Sequence, residues 1–165
     1  GSPAFRILTS NDLIGCEIGG ALKNIIAIIV GVADGLGYGW NTQAALITRG
    51  SAEIIRLGRA LGAKTETFLG LSGMGDLVLT CTGNLSRNRS FGIHLGQGLS
   101  LEDAKAKVGG TIEGIHTTQA AYLLGKKHQI EMPLTETLYE FLFQEKPLSE
   151  GIFSILSRPL RDEWR

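Results

Sequence analysis

At 165 residues, 43% of them apolar, the chain is long enough to bury one hydrophobic core and too apolar to be disordered. Its 16 Lys and Arg balance 16 Asp and Glu without a polybasic run, which argues against nucleic acid or an anionic membrane as main partner. Cys16 and Cys81 lack metal-type spacing and read as buried thiols of a reducing compartment, so a cytoplasmic protein is expected.

The opening "GSPAFRILTS" has no basic segment followed by an apolar one, so no secretory leader is expected there. Gly1-Ser2 reads as a cleavage scar, and residues 1–4 as scar or linker. "FRIL" (5–8) alone has strand character, and one strand builds no sheet. Residues 5–10 are therefore expected to be a strand remnant and linker from a sheet not present in this chain.

From residue 11 to 165 almost every segment has helical pattern, and an all-α fold is predicted. Residues 12–32 form the first helix. Its uncharged run from Asn24 to Ala33 is too short to span a bilayer, so no transmembrane segment is expected. "DGLGYGWN" (34–41) breaks the helix with glycines. An amphipathic helix over 41–61 follows, carrying Leu46, Ile54, Ile55, Leu57 and Leu61. "GMGDLVLTCTG" (73–83) fits a strand or a two-turn helix equally well. Ser100-Leu101-Glu102-Asp103 resembles a capping box and opens a helix that ends near Gly109-Gly110. Helices are predicted over 113–128 and 134–144, and Pro147-Leu148-Ser149-Glu150 starts a last short one.

Four places could carry chemistry. Lys23 sits in the apolar first helix with Gly19, Gly20 and Ala27 nearest on its face, which leaves bare surface for a ligand or another backbone. Either its tail snorkels to water, or partial desolvation makes it a usable acid or base. Asp76 and Thr80, if helical, share a face at i, i+4. Glycines 73 and 75 would let the backbone approach a ligand. The alternative is an Asp placed for the helix dipole. Ser86, Arg87, Asn88 and Arg89 offer a hydroxyl, two guanidiniums and an amide suited to a phosphate, or else form a solvated polar loop. "GGTIEGIH" (109–116) is a glycine-rich helix entry without the G-x-G-x-x-G spacing of a dinucleotide fingerprint. Its Glu113-x-x-His116 pair has no second motif at His94 or His128, so no metal site is expected.

Taken together, "GGALKN", "DGLGYGWNTQAALITRG", "GMGDLVLTC", "SRNR" and "TIEG" resemble the bacterial-type NAD(P)-dependent glycerol-3-phosphate dehydrogenases over nearly the whole chain. The resemblance is to the helical C-terminal substrate domain, taken as residues 11–165, of a two-domain enzyme whose N-terminal Rossmann domain is absent. It implies hydride transfer between nicotinamide and carbon 2 of glycerol 3-phosphate, giving dihydroxyacetone phosphate, as a source of phospholipid precursor. Lys23 becomes the catalytic acid/base and Asp76 its carboxylate partner. Thr80, Ser86, Arg87 and Asn88 join them in binding substrate. Arg87, Thr111 and Glu113 become cofactor contacts, Thr111 through its backbone, while NAD or NADP is held mainly by the Rossmann domain. No turnover is then expected from this chain alone. A homodimer is the expected assembly if 134–144 pairs with a second subunit. Two other readings stand beside this one: a non-enzymatic helical binding or oligomerisation module, and the helical domain of a ketopantoate- or 6-phosphogluconate-type dehydrogenase, against which the "GMGDL…SRNR" block argues.

Overall fold

Asp12 starts the fold by accepting the Gly15 N–H at 3.0 Å, which caps helix α1 (Leu13–Gly35). Its other oxygen accepts the Thr67 hydroxyl at 2.6 Å and the Lys64 N–H at 2.8 Å. The Thr67 hydrogen bond, then those from Gly15 and Lys64, hold this carboxyl below its ordinary value. The computed structural model describes residues 7–147 with 151, 153 and 154. Among these residues there are helices and no strand, in agreement with the all-α prediction. Phe5 and Arg6 of the expected strand lie outside the described residues, and Ile7 and Leu8 are exposed and without regular structure.

Apart from Lys23, every residue from Leu22 to Ala33 is buried. A helix apolar all round belongs in a core, and α2 (Trp40–Ala60), α4 (Asp76–Thr82), α5 (Arg87–Gly96), α7 (Glu113–His128) and α8 (Pro133–Gln144) all pack on α1. By length and composition alone, α1 could cross a membrane. The run from Asn24 to Ala33 therefore understates the apolar helix, whose inner face is covered here by protein.

The closest packing is between α1 and α5. Gly31 and Gly35 face Gly92 and Gly96, and a Cβ on any of the four would run into a carbonyl of the other helix. Those carbonyls belong to Arg89, Ile93, Ile28 and Val32 respectively. Two i, i+4 glycine pairs thus let the backbones touch.

Local signals set the other elements. The "GMGDLVLTCTG" ambiguity resolves as a π-helical turn, Leu71–Gly75, running into α4. A short helix α3 (Thr65–Leu69), which the periodicity does not show, precedes it. Ser100 caps α6 (Leu101–Val108) by accepting the Asp103 N–H at 3.1 Å, and Gly109 at φ 68° ends it. α7 carries Lys126, Lys127 and His128 in its last turn, where cations suit the dipole. In α8, Leu134 and Leu138 are fully buried within the chain, and Tyr139 stacks on Tyr122 of α7 with ring centroids 3.8 Å apart. Leu148, Ser149 and Glu150 of the expected last helix lie outside the described residues, while Gly151, Phe153 and Ser154 are helical.

α8 has no side-chain cap of its own. Glu53, 1% exposed on α2, replaces it: one carboxylate oxygen accepts the Leu134 N–H at 2.6 Å. The other accepts the Thr135 N–H at 3.2 Å and the Thr135 hydroxyl at 3.0 Å. Burial nonetheless pushes the carboxyl up to about 7 from 4.5, against the pull of these donors. The folded chain therefore binds this proton more tightly than the unfolded chain. Its contribution to stability is complete below pH 4.5 and is lost as pH rises through about 7. Unfolding free energies from urea titrations should fall between pH 5 and 7.5 by roughly 3 kcal/mol at most. Glu53→Gln should flatten that slope and, at pH 5, lower stability by about 1–3 kcal/mol, because its amide NH₂ meets N–H donors. An unchanged slope in the variant would assign the pH dependence elsewhere.

Candidate functional site

Lys23 is the one residue of α1 between Leu22 and Ala33 that is not buried, with a side chain 21% exposed. Its ammonium donates to Asp76 in the first turn of α4, forming an ion pair between two helices. Thr80, one turn on, donates its hydroxyl to the Asp76 carbonyl at 2.6 Å and lies 3.3 Å from the carboxylate. Asp76 thus stands where the π-helical turn runs into the first turn of α4, and there it partners the lysine.

The glycines beside Lys23 have two different uses. Gly19 is packed on the Ser72 carbonyl, 3.3 Å from where a Cβ would sit, so its space belongs to the chain's own backbone. At Gly20 no other part of the chain would lie within 4 Å of an added Cβ. Gly73 likewise admits the Phe68 backbone rather than a ligand.

Beside the ion pair opens a cleft of about 440 Å³. Seven of the sequence-predicted residues line it: Lys23, Thr80, Ser86, Arg87, Asn88, Thr111 and Glu113. Asp76 joins them through Lys23. In the "NLSRNRSFG" stretch only residues 84–86 are loop, and from Arg87 onward it is helix. Ser86 caps α5 by accepting the Arg89 N–H at 3.2 Å, which brings the first turn of that helix to the cleft. Arg87 is exposed there and makes no ion pair among the described residues, while the Gly110 backbone lies against its guanidinium.

Arg89 does not belong to the cleft. Two residues on a helix lie about 200° apart, so Arg89 turns inward where Arg87 turns out, and it pairs with Asp34 at 2.6 Å. The four-residue phosphate cluster read from sequence therefore loses its second guanidinium to the core.

Leu79, Gly83, Asn84 and Leu85 also line the cleft, but Asn24 is the buried polar residue there that the sequence-based set misses. It is 6% exposed and donates its amide to the Glu113 carboxylate at 3.3 Å. Its signal in the sequence is a lone amide at the head of the apolar run. Among the described residues no group of His, Cys, Asp and Glu could hold a metal.

A lysine–carboxylate pair beside a guanidinium and the first turns of α5 and α7 makes this an all-helical domain with a cleft suited to proton transfer on an anionic ligand. The family description "NAD-dependent glycerol-3-phosphate dehydrogenase C-terminus" matches residues 12–152. The chain belongs to that family. It is 52% identical over 162 residues to the glycerol-3-phosphate dehydrogenase [NAD(P)+] of Geobacter sulfurreducens, covering 98% of this chain and 48% of the relative. The Trichlorobacter lovleyi protein of the same name is 54% identical over 162 residues, covering 98% and 49%. The crystal structure of glycerol-3-phosphate dehydrogenase from Coxiella burnetii superposes with a TM-score of 0.92 at 45% identity, over 96% of this chain and 49% of that one. The Saccharomyces cerevisiae enzyme gives 0.84 at 26% identity, over 96% and 46%. This chain thus spans about half the length of the relatives it matches.

Proposed function

We propose that this chain is the substrate-binding and acid–base domain of an NAD(P)-dependent glycerol-3-phosphate dehydrogenase. The observation that carries the reading is the Lys23–Asp76 ion pair at a cleft whose rim holds Arg87. Oxidising the C2 hydroxyl of glycerol 3-phosphate to a ketone releases a proton and a hydride. Lys23 Nζ takes the proton as the neutral amine, and in the reverse direction the ammonium so formed stabilises the charge growing on the ketone oxygen and returns the proton. Asp76 holds that amine in place, and Thr80 holds Asp76. NAD(P), when bound, supplies the hydride acceptor or donor.

The exposed Arg87, Thr111 and Glu113 offer a guanidinium, a hydroxyl and a carboxylate, donors and acceptors that fit one edge of a dinucleotide. The larger part of the cofactor site is assigned to a separate Rossmann domain. Cys16 and Cys81 are free thiols, and burial pushes the Cys81 thiol up to about 12, which keeps it inert. Two thiols that form no disulfide fit a reducing, cytoplasmic setting.

Calorimetric titration of the chain with glycerol 3-phosphate tests the binding half of this reading. A charge-assisted contact to phosphate is worth about 1.5–3 kcal/mol, so Arg87→Ala should weaken binding by roughly 10- to 100-fold. Binding unaffected by Arg87→Ala would instead favour the helical interaction module.

A further inference from the structure

Its place in "SRNR" groups Asn88 with the phosphate ligands, yet both ends of its amide are engaged inside the protein. It is 8% exposed. Its Oδ1 accepts the backbone N–H of Gly114 at 2.9 Å. Its Nδ2 donates to Asn24 Oδ1 at 3.0 Å. Asn24 Nδ2 in turn donates to Glu113 Oε2 at 3.3 Å. The path leaves the first turn of α7 at Gly114 and returns to it at Glu113, one residue away, after crossing α5 and α1.

The direction of this ring is fixed by its two ends. A backbone N–H can only donate, so the oxygen of Asn88 must face Gly114. Its NH₂ must then face Asn24, which has to answer with its carbonyl. That leaves the Asn24 NH₂ to meet Glu113, and an ionised carboxylate can only accept. Each amide could be turned over in isolation, but together they have one consistent arrangement. The packing around it is close: a Cβ on Gly114 would sit 2.8 Å from Asn88 Oδ1 and 3.0 Å from the backbone carbonyl of Asn24.

We infer that Asn88 is a positioning residue, which fixes the direction of this ring and so presents an N–H of Asn24, not its carbonyl, to Glu113 at the cleft beside Lys23. This deepens the proposed function, on which its meaning for substrate rests. An amide carbonyl turned toward Glu113 would put two acceptors face to face next to the reacting amine. The ring itself exists whether or not glycerol 3-phosphate is the ligand.

Reversing the ring tests it. Asn88→Asp keeps an acceptor for Gly114 but offers only acceptors to Asn24, which must turn over and set its carbonyl against Glu113. The melting temperature of the chain should fall by about 5 °C. Adding Glu113→Gln supplies the missing donor at the other end, and at least half of the loss should return. Side-chain amide NMR reads the direction itself. In the native chain the Asn24 NH₂ protons should show NOEs to the Glu113 Hγ protons. In the double variant they should instead show NOEs to the Hβ protons of the side chain at position 88. A single variant as stable as the native chain, no recovery in the pair, or an unchanged NOE pattern would each overturn the assignment. None of these readouts involves glycerol 3-phosphate, so failure of the ring and failure of the proposed function are seen separately.

Discussion

Lys23→Ala is expected to lower kcat by about 10³-fold while changing the KM for glycerol 3-phosphate by much less. The protein for this measurement is a hybrid in which the chain replaces the matching half of one of its relatives, followed by NAD(P)H absorbance. Placed general acid–base groups contribute roughly 10²–10⁴-fold, and the ammonium adds stabilisation of the oxyanion that forms only in the transition state. Phosphate binding at Arg87 is untouched, which is why KM moves little. Folding should survive, since Lys23 and Asp76 are 21% and 34% exposed in their side chains, and such partly solvated pairs contribute about 1 kcal/mol or less. The chain without its hybrid partner should show no turnover. A Lys23→Ala hybrid within tenfold of the parent rate would remove the lysine from the chemistry.

The parts of this site that are legible from sequence share one property: each is odd where it stands. A lysine in an apolar helix and a hydroxyl–guanidinium–amide run after a glycine both announce themselves without a partner. Partnership is not legible in the same way. Lys23 and Asp76 are 53 residues apart, and no periodicity connects two helices that meet only in the fold; the family resemblance supplies that pairing. Arg89 shows how one misread element propagates. With 84–92 open to reading as a loop, its two arginines look equivalent, and only the helical twist separates the cleft-facing one from the one paired to Asp34. Glu53 looks like an ordinary charge on the wet face of α2. Its role depends on the uncapped start of α8, 81 residues away. Helix boundaries fare better, because caps are local: Ser100 and the glycines after α6 mark their ends within a few residues.

The glycine seam is invisible in the sequence for a related reason. Gly92 and Gly96 weaken a helix taken alone, and their value appears only against Gly31 and Gly35 of α1. Gly92→Ala should therefore destabilise the chain by about 2–4 kcal/mol, seen as a melting-temperature drop of roughly 5–10 °C by circular dichroism. The added methyl meets the Ile28 carbonyl, which is backbone and cannot swing aside as a side chain could. The same substitution at Gly20 should act in the opposite direction. Nothing lies within 4 Å of a Cβ there, so Ala should recover the helix penalty of glycine, about 0.5–1 kcal/mol. Equal effects at the two positions would mean that α1 and α5 do not rely on backbone contact. If the seam holds, its consequence reaches the cleft. α5 carries Arg87 and Asn88 to the place where α1 holds Lys23 and Asn24, so a methyl that pushes the helices apart also pulls the anion-binding turn away from the amine. Gly92→Ala should accordingly weaken glycerol 3-phosphate binding at temperatures where the chain is still folded, although Gly92 lies a full turn below the cleft-lining residues.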